Sequence, residues 1–167
     1  MEWGVYMKKL SVCILFGGMS PEHDVSLRSA ESVLNTIDQE KYHVYPVGIT
    51  RDGRWIYFGG RDYSMLPAGT WMDHPDNRQA EISPVRGQGL LRFESNGVTQ
   101  THLDVVFPVL HGENGEDGAM QGLMQMAGIP CVGPHVAASA VAMDKTLKLL
   151  TFWQIVLCTV IPDPLVM

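Results

Sequence analysis

The apolar run Val105-Val106-Phe107-Pro108-Val109-Leu110 leads straight into His111-Gly112-Glu113-Asn114-Gly115-Glu116-Asp117-Gly118, and this junction constrains the chain more than any other stretch. Six apolar residues without a break suit a strand covered on both faces, as in sheets packed between helices. In open α/β sheets, ligands sit at the carboxyl ends of the strands, where this loop falls. Glycine at every third position frees the backbone for close approach to a ligand, while the loop carries one imidazole and three carboxylates. A loop of similar character, Phe16-Gly17-Gly18-Met19-Ser20-Pro21-Glu22-His23-Asp24, closes the first apolar run. Two such loops imply one site facing both.

The spacing predicts the elements around them. Leu10 to Phe16 reads as the first strand. A helix follows from about His23 to Asp38, with Leu27, Ala30, Val33, Leu34 and Ile37 on one face. Tyr42 to Thr50 is the second strand, and Asp52-Gly53 turns tightly into Arg54 to Phe58. Residues 59–89 hold five glycines and three prolines with little periodicity, so they read as an elaborated surface segment. Gly89 to Glu94 and Val98 to His102 flank Asn96-Gly97 as a small hairpin. Asp104 to Leu110 returns to the core. A helix from about Ala119 to Ala127 stops at Gly128, Ile129 to Gly133 is a short strand, and an alanine-rich helix runs from Val136 through Lys145, or as far as Leu150. Strand–helix alternation of this kind predicts an α/β fold: a doubly wound, mostly parallel, Rossmann-like sheet with a small β-hairpin insertion.

Composition removes several classes of partner. The net charge is −6 and the basic residues are scattered, which argues against nucleic acid and against an anionic membrane surface. No window approaches the roughly 20 apolar residues that span a bilayer. Lys8-Lys9 precede Leu10 to Phe16, but that stretch ends in Gly-Gly with no small-residue cleavage site, so the expected location is cytoplasmic. Met1 to Tyr6 stand ahead of Met7, and residues 1–7 read as a leader or an alternative start. Cys13, Cys131 and Cys158 lack metal or redox spacing and read as reduced cysteines, two of them inside apolar runs.

Each polar residue of the loops has an ordinary explanation beside a functional one. Gly17-Gly18 lacks the G-x-G-x-x-G spacing of a dinucleotide site and fits a tight strand-to-helix turn. Glu22 and Asp24 compensate a helix dipole, or Glu22 receives a substrate ammonium group. His111 is a satisfied structural histidine, or it orients a carboxylate or substrate. Glu116 and Asp117 precede a helix that Asp117 can cap. His111, Glu113, Glu116 and Asp117 are metal-ligand types, but their spacing matches no metal motif, and no catalytic nucleophile is legible.

The order of these pieces is what decides between the readings. Phe16 to Ser26, His111 to Gly118 with Gln121-Gly122, Gly128-Ile129-Pro130-Cys131-Val132-Gly133, and Ser139 to Lys145 follow one another as in the amino-terminal domain of the D-alanine–D-alanine ligases. The resemblance runs from Lys8 to Lys145 and extends to the related D-alanine–D-lactate and D-alanine–D-serine ligases. It implies a pre-ATP-grasp domain of an ATP-grasp ligase that uses ATP and Mg²⁺ to join D-alanine into peptidoglycan precursor. By resemblance, Glu22 meets the ammonium group of the first D-alanine, with Val25, Ser26 and His111 lining the pocket and Glu116 supporting the loop. Lys145 reaches ATP phosphate, and dimerisation through this domain is usual in the family.

On that basis residues 8–135 form the substrate-binding domain, and 136–167 begin the ATP-grasp region. After about residue 146 the text departs from the family pattern. Thr146 to Cys158 is dense in apolar residues, which suggests a local reading-frame disturbance from about Leu147 to Leu157 and an association-prone face. The resemblance places no catalytic or metal-binding group in this chain, so the expected form is a ligase part inactive alone. The competing readings are a non-catalytic binding or dimerisation module and a nonfunctional truncated remnant.

Overall fold

The computed structural model describes residues 8–150; the expectations for 1–7 and for most of the apolar tail lie outside them. The elements are β1 (Leu10–Gly17), α1 (His23–Thr36), β2 (Tyr42–Ile49), β3 (Trp55–Tyr57), β4 (Arg78–Ile82), β5 (Leu90–Glu94), β6 (Gly97–Thr101), β7 (Val105–Pro108), α2 (Ala119–Ala127) and α3 (Val136–Met143). Seven strands make one sheet in the order β6-β5-β4-β3-β2-β1-β7.

β1 lies centrally in the parallel half, which explains its unbroken apolar text. Val12, Ile14 and Phe16 belong to the core cluster that takes in Leu27, Ala30 and Leu34 of α1. Cys13 and Leu15, alternating with them, join Met120, Met124 and Ala127 of α2 in the other cluster. Burying each large apolar side chain of this kind contributes about 1.5–3 kcal/mol.

The α/β class holds, but the sheet is mixed rather than mostly parallel. Only β2, β1 and β7 run parallel; β3, β4, β5 and β6 continue the sheet antiparallel from β2. The cause is connection length. A parallel crossover needs a dozen or more residues, and the links from β2 to β3 and from β5 to β6 are tight turns. For the same reason the β5–β6 hairpin is no insertion; it forms the outer edge of the one sheet.

The segment read as surface elaboration is also corrected. Leu66 and Trp71 within it are completely buried, Trp71 edge-on to Phe16 at 5.2 Å between ring centroids. Residues 78–82 within it form β4, pairing β3 with β5. The short strand expected at 129–133 is reduced to one parallel bridge, Cys131 with Val106. The alanine-rich helix breaks at Asp144, which is extended (φ −85°, ψ 108°). Its carboxylate then accepts the N–H groups of Thr146 and Leu147, capping a helical segment over residues 145–150. Among the described residues no helix is long and apolar enough to cross a membrane.

Candidate functional site at the carboxyl ends of β1 and β7

β1 and β7 are parallel neighbours, with Cys13 opposite Val106 and Leu15 opposite Pro108, so the loops that leave their carboxyl ends share one sheet edge. Glu22 and His111 are therefore brought together across 89 residues of chain. One donor atom from each of Glu22, His111 and Glu116 lies within 4.8 Å of the others. His111 Nδ1 stands 4.0 Å from Glu116 Oε1, and its Nε2 lies 3.4 Å from Ser29 Oγ. Glu22 and Glu116 are exposed and His111 is half-buried. The three side chains make an acidic pocket wall at this sheet edge, adjoined by a groove of about 180 Å³ lined by Gly18, Leu110, His111 and Glu113 and by another of about 470 Å³ that Glu116 lines.

Each loop is held by its own bonds. Glu116 Oε2 accepts the Gly112 N–H at 2.8 Å, Gln121 Nε2 donates to Gly115 O at 3.1 Å, and Asp117 accepts from Asn114 N and Ala119 N. On the other loop, His23 is buried and its Nδ1 donates to Gly18 O at 2.6 Å, while Gly18 N donates to Ile49 O at 2.8 Å. His23 thus braces the loop rather than facing the pocket. The three spaced glycines also serve the protein's own packing. A Cβ on Gly112 would come within 3.2 Å of Ser20, on Gly115 within 2.6 Å of Leu110 Cβ, and on Gly118 within 2.8 Å of Val136 O.

The remaining residues singled out in the sequence separate clearly. Val25 is exposed on the first turn of α1. Ser26 is completely buried, its hydroxyl accepting from Gly17 N at 2.7 Å and donating to Val109 O at 2.5 Å. That hydroxyl is spent on joining the ends of β1 and β7. Asp24 pairs with Arg51 at 2.8 Å on the surface. Lys145 is exposed on the helical segment after Asp144. Ser20, Ser29 and Gln121 complete the arrangement; only the fold could reveal Ser20 and Ser29 as partners of His111, because their spacing along the chain carries no pattern.

Chemically the pocket suits a cation that donates hydrogen bonds. A primary ammonium group, with three N–H donors, matches two carboxylates and an imidazole. The same three side chains are acceptable ligands for a divalent cation, although one Glu116 oxygen is already committed to Gly112. Burial pushes the Cys13 thiol far above its ordinary range and raises that of half-buried Cys131, so neither thiol is primed as a nucleophile. A groove of about 670 Å³ lies on the antiparallel half beside Trp55, Arg78 and Leu123, with none of Glu22, His111 and Glu116 in its lining.

An α/β domain whose strand-end loops converge on an imidazole between two carboxylates has the layout in which open α/β sheets place their ligand sites. The D-ala D-ala ligase N-terminus family model matches residues 11–134, and the chain belongs to that family. A D-alanine–D-alanine ligase of Caldicellulosiruptor bescii is 44% identical over 140 residues, covering 83% of this chain and 37% of that protein. One of Clostridium novyi is 48% identical over 139 residues, covering 83% and 36%. The chain thus spans under two fifths of the length of these curated relatives. Among solved structures, the VanG D-Ala:D-Ser ligase from Enterococcus faecalis superposes with a TM-score of 0.78 at 37% identity, covering 87% of this chain and 42% of that one. The D-alanine–D-alanine ligase from Coxiella burnetii gives 0.75 at 33% identity, with the same coverages.

Proposed function

We propose that this chain is the substrate-binding part of an ATP-dependent D-alanine–D-alanine ligase of the ATP-grasp type, acting in the cytoplasm to make D-Ala-D-Ala for peptidoglycan. The observation that carries the reading is the convergence of Glu22, His111 and Glu116 within 4.8 Å at one sheet edge. Glu22 neutralises and orients the ammonium group of the first D-alanine, His111 lines the pocket beside it, and Glu116 holds the His111 loop. Val25 borders the pocket from α1. The likeness is as strong to a D-Ala:D-Ser ligase as to D-Ala–D-Ala ligases, which suits a pocket for the substrate those reactions share.

In this reading the substrate domain comprises residues 8–135, and Lys145, beyond it, faces ATP phosphate. ATP and Mg²⁺ supply the phosphoryl group that activates the first carboxylate, and the second amino acid attacks it. Two copies pair through this domain.

The test is a titration of the purified chain with D-alanine, followed by NMR. Binding is expected, with L-alanine as the weaker ligand. Replacing Glu22 by glutamine keeps the shape and removes the charge. A charge-assisted hydrogen bond contributes about 1.5–3 kcal/mol, so affinity should fall at least about tenfold with thermal stability unchanged. Equal affinities for D-alanine in the two proteins would return Glu22 to compensation of the α1 dipole.

A further inference from the structure

Each pocket loop is braced internally, but bonds between the loops are few. Among the described residues, the hydrogen bond that links residues 17–24 to residues 111–118 is made by Ser20, whose Oγ donates to His111 O at 2.7 Å. The same oxygen accepts the Glu22 N–H at 3.1 Å. One atom is therefore bonded to the main chain of both residues that face the pocket. Ser20 is only 4% exposed. Gly112, with φ +72°, packs against it so closely that a Cβ there would lie 3.2 Å from both Ser20 Cβ and Oγ.

We propose that Ser20 is a positioning residue for the ammonium pocket: its hydroxyl sets the separation of Glu22 and His111, and with it the affinity for the amino-acid substrate. The proposal rests on the function proposed above. The physical reason is that the neighbouring bonds do other work. Glu116–Gly112 and Gln121–Gly115 shape the His111 loop, and His23–Gly18 shapes the Glu22 loop. Ser26 of α1 ties Gly17 to Val109 at the roots of the two loops, and Ser29 of α1 meets the His111 ring at 3.4 Å without touching the Glu22 loop. Without the Ser20 hydroxyl, two internally rigid loops keep their shapes and lose their register to each other. A misplacement of about 1 Å is enough to cost a site up to about a hundredfold.

The experiment compares the full 167-residue chain with Ser20→Ala, Ser20→Thr and Gly112→Ala. Three quantities are read: D-alanine affinity, proton–proton Overhauser contacts between the Glu22 side chain and the His111 ring, and thermal stability. Ser20→Ala is expected to weaken D-alanine at least about tenfold and to lose the Glu22–His111 contacts, and Ser20→Thr to restore both. Gly112→Ala, which keeps the hydroxyl but displaces it, should weaken D-alanine as well, so the proposal stays testable even if Ser20→Ala folds poorly.

A purely structural serine is told apart by a cycle with Glu22→Gln. A positioning role costs little once the charge it positions is gone, whereas a structural role costs the same in both backgrounds. Equal costs in both backgrounds, or unchanged contacts in Ser20→Ala, overturn the proposal. If the parent chain binds no D-alanine while the contacts respond as expected, the positioning role stands and the substrate reading falls.

Discussion

Purified alone and given ATP, Mg²⁺ and saturating D-alanine, the 167-residue chain is expected to release no phosphate above the no-enzyme background. Joining two carboxyl-bearing substrates with ATP gathers negative charge on the transferring phosphoryl group, and the catalyst must offset it with metal ions and positioned cations. What the described residues gather instead is negative: Glu22 and Glu116 flank His111, and Lys145 stands exposed on a separate helical segment. One oxyanion donor alone is worth about 10²–10³ in rate, so a site with no such gathered cations among the described residues should fall short by many powers of ten. Coupled phosphate release with dipeptide detection is the measurement. D-alanine-dependent turnover by this chain would mean that the described pocket holds catalytic groups that its geometry does not reveal.

The second large effect is expected in the core. Trp71→Ala should destabilise the fold by about 3–5 kcal/mol, a large share of an ordinary domain's total stability. The indole is completely buried and lies over β2 at Gly48, where an added Cβ would fall 2.3 Å from the ring. Phe16 of β1 meets its edge from the same side. Removing the ring opens a cavity between the central strands and the connection from β3 to β4. Urea unfolding should show a lower midpoint with a similar slope. A loss below about 1 kcal/mol would mean that residues 59–77 lie over the core without belonging to it.

Trp71 also marks where sequence reasoning ran out. Strands buried on both faces, such as β1, announce themselves as continuous apolar text, and α1 and α2 by their spacing; their bounds fall within a residue or two of expectation. β4 is Arg-Gln-Ala-Glu-Ile, whose inward residues Ala80 and Ile82 make too short and too small a stripe to stand out among polar neighbours. The burial of Trp71 depends on a slot at Gly48, 23 residues earlier, and no local window joins the two. The Asp52-Gly53 turn did contain the key to the mixed sheet. A strand that reverses in so few residues pairs antiparallel with the one before it, and the short links from β4 to β5 and from β5 to β6 repeat the constraint, whereas the long link from β3 to β4 carries no such signal.

The same limit applies to the pocket. Its loops were legible because glycine, histidine and acid are concentrated at two strand ends. Which of their residues meet was not, because contact between Glu22 and His111 follows from the pairing of β1 with β7. Ser26 shows the difference: the resemblance put it on the pocket wall, and its hydroxyl is buried between Gly17 and Val109.

That pairing of first and last strands has a kinetic meaning. β5 and β6 are joined by two residues and close at little entropic cost, whereas Ser11 N meets the Asp104 carboxylate across 93 residues. The outer antiparallel strands are therefore expected to form early, with β7 docking last against an already assembled β1. Leu90→Ala should slow folding, and Val106→Ala should chiefly hasten unfolding; the reverse pattern in refolding kinetics would refute this order. On this sequence of events the pocket does not exist in any partly folded form of the chain. Its appearance is the signal that folding is complete, so a substrate that binds there selects finished molecules and holds shut the last step to close.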